Sequence, residues 1–347
     1  MSRGLGDVYK RQVVIIPIVC LYLLQCLSVP KYASDIKEGA MIKEYYNSEK
    51  NHDVLILGDC EVYENISTVT MWENYGISSY IRGSAEQLIW QSYYLLEDTL
   101  KYEKPQVVIV NVLAMTESDA KNEAYNRMTL DGMKLSKYKI ASIRESMTEE
   151  ENMASYIFPL LRYHSRWSEL SSEDFRYMWK TPSVTTNGYL MQKGVRPVTT
   201  IPKAAPLANY TFSDRNMEYL DKIYSLCKDN GINLVLMKAP SVYPHWYDEW
   251  DKQVSDYAYE HGILYLNTIN EAGNIGIDYT TDTFDYGQHL NVEGAEKLSL
   301  YLGEQLVKNY GLTDHRQDES YKNAWQTIVN KYYEEKQLSL IHISEPT

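Results

Sequence analysis

The chain has 347 residues, 44% of them hydrophobic, with seven Trp and 32 Tyr, ample for one large or two ordinary domains and unlike a disordered chain. Its formal net charge of -13 excludes a broad nucleic-acid footprint, because neutralising phosphates takes a positive surface, and makes anionic lipid repulsive. The four Cys, at 20, 26, 60 and 227, contain no Cys-x-x-Cys pair and make neither a disulfide framework nor a zinc site, so Cys60 and Cys227 read as free thiols.

Residues 1–12 and 338–347 resemble translated sequencing-adapter fragments and are set aside from fold reasoning, which also removes Arg3, Lys10 and Arg11 from any positive-inside argument. Val13 to Val29 is a seventeen-residue apolar run. At 1.5 Å per residue it spans roughly 25 Å, the short end for a bilayer core of about 30 Å. The run exceeds a usual signal-peptide core, Cys26-Leu-Ser-Val-Pro30 offers no small-x-small cleavage site, and a buried helix would not lack a polar face so completely. Residues 13–30 are therefore expected to be an uncleaved transmembrane signal anchor, and the polar residues 31–52 a linker.

Asp53 to Leu57, ended by Gly58, reads as a parallel strand buried on both faces. Ser67 to Gly76 has a Ser cap and a Gly stop and predicts a short helix, followed by a strand over Ile77 to Ile81. Ser84-Ala-Glu-Gln87 fits a capping box and predicts a helix from about Ala85 to Tyr102. Val107 to Val110 is a third strand finishing at Asn111, and Asn233 to Met237 and Ile263 to Leu266 are two more, each preceded by a Gly and an amphipathic helix. Asn291 can cap a helix running to about Lys308. The alternation predicts an α/β, flavodoxin-like three-layer αβα fold with a parallel sheet of about five strands. Residues 115–215 break the alternation and read as a helix-rich insertion or lid within an α/β domain spanning 53–311, with 312–337 a C-terminal helical extension.

Two blocks carry chemistry. Gly58-Asp-Cys60 sets a small nucleophilic side chain on the turn at a strand's carboxyl end, where open α/β sheets place ligand sites. Asp285-Tyr-Gly-Gln-His289 sets an acid and an imidazole just before the helix capped by Asn291. Acyl transfer needs a nucleophile, a base to take its proton and donors for the oxyanion, and Cys60, His289 and Asp285 fit the first roles, with Asp282 a second choice for the acid. A partner imidazole would raise the thiolate fraction of Cys60, whereas Asp59 and Glu61 act the other way if their carboxylates lie close. A small buried Cys at a strand end and a His bonded to nearby backbone are the structural alternatives.

The order nucleophile, Asp, His resembles the SGNH or GDSL-type hydrolases, whose first block is normally Gly-Asp-Ser and whose last is Asp-x-x-His. Here Cys60 replaces the Ser, and Asp285 lies four residues before His289 instead of three. The resemblance implies an oxyanion hole from the backbone N–H groups of Cys60 and Gly83 and the side-chain amide of Asn111, although the family's third block, Gly-x-Asn-Asp, is missing around Asn111. Arg162 and Arg166, one helical turn apart, could meet an anionic polymer, or simply pair with nearby acids. Tyr243 and Trp246 offer faces for a sugar ring, or pack under a lid, and His164 and His245 are alternative bases. No Walker loop, Rossmann glycine fingerprint or His-Glu-x-x-His motif occurs, and no metal or cofactor is implied.

The resemblance is closest to the membrane-anchored branch that adds or removes acyl groups on cell-wall polysaccharides, exported polysaccharides or teichoic acids. It implies an extracytoplasmic esterase or O-acyltransferase with a surface glycan or acylated polymer as substrate and an acyl-donor membrane protein as partner. The competing expectation is a catalytically silent SGNH-like module that binds glycan or partner proteins during surface-polymer assembly.

Overall fold

The computed structural model describes residues 3–31, 39–120 and 122–343. Residues 1–2 and 344–347 of the set-aside ends, and 32–38 of the expected linker, lie outside the described residues. Five strands, β1 (Val54–Gly58), β2 (Ser79–Gly83), β3 (Val107–Asn111), β4 (Asn233–Lys238) and β5 (Leu264–Asn267), form one parallel sheet in the order β2-β1-β3-β4-β5. β1 to β3 are buried throughout because helices cover both faces, which is why β1 and β3 are apolar runs with no alternation, while β2 carries the buried Arg82, paired with Asp98.

One core layer gathers Val54, Ile56, Ile109 and Met237 under the helices Thr68–Tyr75 and Val292–Tyr310. The other gathers Leu55, Leu57, Val108 and Leu236 under Ile89–Thr99 and Asp214–Asp229. Strand order reverses at β1, the switch point beside which doubly wound sheets hold ligands; Cys60 follows β1 and Asn111 ends β3, the two strands that flank the crevice.

Local signals acted where they were local. The Ser67 hydroxyl accepts from the Thr70 N–H, Gly76 closes that helix at φ 67°, and the Asn291 side chain accepts from the Gly294 N–H. The Ser84–Gln87 capping box does not form. The Ser84 hydroxyl and Gln87 amide turn inward to each other, to Thr129 and to Ser92, and the helix begins later, at Ile89, where the Gln91 side chain accepts from the Leu88 N–H. β2 begins two residues later than expected, at Ser79. Its outer edge is closed by Asn187, whose carbonyl accepts from the Ile81 N–H. Gly188 beside it approaches so closely that a Cβ there would meet the Ile81 carbonyl oxygen at 2.0 Å.

Residues 40–47, expected as linker, are a helix and a tight turn that bury Ile42 and Tyr45. Much of 115–215 also joins the body. The helix Lys137–Ser146 packs on Ile89–Thr99, placing Ile143 in the core, and Tyr189 and Met191 reach the opposite face. The C-terminal helix Glu319–Ile343 docks by stacking Trp325 on Trp72, ring centroids 4.7 Å apart and 4° from parallel. At the other end, Arg3–Ser28 is one helix, and its stretch Lys10–Ser28 is long and apolar enough to cross a membrane.

Candidate active site

Gly58 ends β1 because the chain there passes against β3: a Cβ would sit 2.8 Å from the Asn111 Cβ. Asp59 then caps the short helix Cys60–Tyr63, its carboxylate accepting from the Glu61 N–H at 3.0 Å, so Cys60 occupies the first helical position. Helix N-termini normally favour a thiolate. Here burial, followed by the charges of Asp59, Glu64 and Glu61, outweighs that effect and pushes the Cys60 thiol well above its usual range. Among the described residues no hydrogen bond joins Cys60 to His289.

The acid expected to orient the imidazole is in contact with it. Asp285 accepts the His289 backbone N–H at 2.8 Å through one oxygen, and its other oxygen lies 2.6 Å from His289 Nδ1. The four-residue spacing suits this double contact, because the carboxylate closes the Asp285–His289 turn and fixes the ring together. Asp282 does not reach His289. It accepts from Lys297 at 2.6 Å and from the Asp278 N–H at 2.8 Å, which spends it on the turn before the helix Val292–Tyr310.

A second carboxylate, absent from the sequence-based expectation, faces the same nitrogen: Glu64 Oε2 lies 3.3 Å from His289 Nδ1. The other Glu64 oxygen accepts from Gln192 at 2.6 Å, and the Gln192 carbonyl accepts from the Val292 N–H. Burial raises the Glu64 carboxyl to about 7 despite the opposing His289 charge and Gln192 bond. Burial alone would lower the imidazole, but the Asp285 bond and the Glu64 charge prevail, and His289 is raised. Glu64 and Asn65 also tie the two chemical blocks together. They follow directly from the Cys60 helix, and the Asn65 side chain accepts from the Leu290 N–H at 2.7 Å.

The proposed oxyanion donor Asn111 is otherwise engaged. Its amide donates to Asp59 at 3.2 Å and to Glu61 at 2.9 Å, and its carbonyl accepts from the Ala239 N–H. Glu61 in turn pairs with Lys238, at the end of β4, at 2.7 Å, and both side chains are almost wholly buried. Lys238 also donates to the Ala239 carbonyl and the Ser241 hydroxyl. Burial and Glu61 raise Asp59 to about 7, against the pull of Lys238. Gly83 pairs with Gly58 at the end of β2 and faces Val62 and Tyr63 of the nucleophile turn.

The other expected groups divide. The Val242 N–H donates to the Gly287 carbonyl, so the loop after β4 adjoins the His289 loop and leaves Tyr243 half-exposed nearby. Trp246 is 8% exposed and donates to Asp251, which removes it as a stacking face. His245 rests edge-on against Tyr247. Arg162 pairs with Glu123, Arg166 with Asp174 and the Ser28 carbonyl, and His164 with the Leu161 carbonyl, which places all three on the segment beside the N-terminal helix. No three His, Cys, Asp or Glu side chains among the described residues are grouped to hold a metal.

No family model and no curated protein matches the chain. Among solved structures it is similar to a Bacteroides fragilis protein named as an acylhydrolase (11% identity, 80% of this chain and 98% of that one, TM-score 0.38). It is also similar to a Desulfitobacterium hafniense protein named as a lipolytic protein of the G-D-S-L family (13%, 73% and 99%, 0.36). A third is a Bacteroides thetaiotaomicron protein named as a GDSL-like lipase (11%, 78% and 99%, 0.38).

Proposed function

We propose that the chain is a membrane-tethered, extracytoplasmic SGNH-like esterase or O-acyltransferase acting on acyl groups of a surface polysaccharide or teichoic-acid-like polymer, with an acyl-donor membrane protein as partner. The observation that carries the reading is the Asp285–His289 contact at 2.6 Å beside the Cys60 helix. With Nδ1 held by Asp285, Nε2 is the nitrogen left to act as base. In the proposed step His289 Nε2 takes the Cys60 proton as sulfur attacks the ester carbonyl. The alkoxide leaves with that proton, and water or a sugar hydroxyl then cleaves the thioester. Incubation of the purified chain with a p-nitrophenyl acyl ester should give turnover and an acyl mass on the Cys60 peptide. Unchanged turnover in Cys60→Ala would sink the mechanism.

A second reading, a silent glycan- or partner-binding module, is favoured by the commitment of the Asn111 amide to Asp59 and Glu61 and by the upward-shifted thiol. Glycan binding that survives Cys60→Ala, with no acyl mass on Cys60 in the wild-type chain, supports that reading instead.

A further inference from the structure

The segment from Phe158 to Trp179 exposes five large apolar side chains, three of them aromatic rings more than 60% exposed. Trp167 is 75% exposed, Trp179 64% and Phe175 61%, with Phe158 and Leu161 more than half exposed. Isolated exposed apolar residues need no explanation, but five within twenty-two residues mark an interaction surface. Its helices Leu160–Tyr163 and Ser172–Arg176, and the turn His164–Ser168 between them, all pack against the helix Arg3–Ser28.

We propose that this segment is an interfacial collar that inserts into the bilayer around the emerging N-terminal helix. The proposal rests on the reading of that helix as a membrane anchor. Continuity with the anchor selects lipid as the occupant. The Trp179 ring lies 6.2 Å from that of Tyr22, and Tyr22 precedes the helix end at Ser28 by six residues. At 1.5 Å per residue Trp179 therefore sits roughly 9 Å inside the apolar stretch, within the depth to which interfacial segments bury their apolar side chains. Arg166 marks the boundary, since its guanidinium donates to the Ser28 carbonyl at 2.6 Å and pairs with Asp174, leaving a compensated cation at the level where the helix ends. The arrangement gives the body two attachments, a span and a collar, and so a fixed tilt against the membrane.

Tryptophan fluorescence tests the collar directly. The apolar stretch 10–28 contains no Trp, Trp72, Trp90, Trp246 and Trp325 are buried in the body, and Trp250 is half-buried against its core. With the full chain in phosphatidylcholine nanodiscs, acyl-brominated lipid should quench part of the emission, and Trp167→Phe/Trp179→Phe should abolish that quenching. Both rings are exposed, and Phe keeps an aromatic ring beside Tyr22, so the replacement leaves the core intact. Incorporation without quenching, or quenching unchanged in the double variant, overturns the collar while leaving the anchor; failure to incorporate into the nanodisc overturns both.

Discussion

Replacing Asp59 by Asn should stabilise the protein, and increasingly so as pH rises. The Asp59 carboxyl is held at about 7 in the folded chain, against 3.8 as its ordinary value, by burial and by the Glu61 charge. A raised acid pKa means the folded state resists ionisation. The penalty is absent only well below pH 3.8, where folded and unfolded forms are both protonated, grows as the unfolded form ionises first, and levels off above pH 7. At 1.36 kcal/mol per pH unit the full penalty is as much as about 4 kcal/mol, of which about 3 kcal/mol develops between pH 5 and pH 8. Asn keeps the oxygen that accepts from the Glu61 N–H and the Asn111 amide, so the helix cap survives. Denaturant unfolding in detergent, followed by tryptophan emission at pH 5 and pH 8, measures the difference. A gap between variant and wild type that does not widen with pH would refute the assignment. A widening gap would mean that the chain keeps an unfavourable carboxylate beside Cys60, a pattern typical of functional sites.

The Glu61–Lys238 pair predicts the opposite behaviour. Lys238→Met leaves a buried carboxylate and should cost about 3–5 kcal/mol, seen as a lower denaturant midpoint, whereas Lys238→Met/Glu61→Leu should recover much of it. Glu64→Gln removes one of the two carboxylates facing His289 and should lower the imidazole titration midpoint followed by NMR; an unmoved midpoint contradicts the electrostatic role of Glu64. Trp325→Ala removes the ring stacked on Trp72 and should cost about 3–5 kcal/mol, exposing the C-terminal helix to limited proteolysis before the sheet unfolds.

The sheet was legible because every strand but β2 is centred on a short apolar run stopped by Gly or by a polar residue, as parallel strands buried on both faces tend to be. Caps at Ser67 and Asn291 were legible for a related reason, since a cap is decided within three residues. The box at Ser84 failed because Ser84 and Gln87 bond to each other, to Ser92 and to Thr129, forty-five residues from Ser84, in place of the backbone donors. The same distance hid the rest of the site. Glu61 meets Lys238 across 177 residues, and Glu64 meets Gln192 across 128, so only the fold could pair them. One clue was present: a Lys closing an apolar strand run at the sheet's carboxyl edge must find an acid there. Arg162 and Arg166 illustrate the converse. Their helical spacing was real, but the surface they occupy belongs to the N-terminal helix and not to the strand ends.

Those hidden carboxylates decide how Cys60 can react. A preformed thiolate–imidazolium pair needs a thiol pulled below its ordinary value, whereas burial and four neighbouring acids push this one up. The neighbours reinforce the effect around neutrality, because Asp59 and Glu64, both near 7, gain their charges as pH rises through that value. His289 is raised as well, so it becomes a neutral base only at higher pH than a free imidazole. In the proposed mechanism the Cys60 proton therefore passes to His289 during attack, in place of the reaction starting from an ionised sulfur. Alkylation of Cys60 by iodoacetamide, quantified on its own peptide, should accordingly be slow at pH 7 and still climbing at pH 9. A rate that levels off below pH 8 would mean that the thiol is activated after all, and that the carboxylates around it are protonated or turned away in solution.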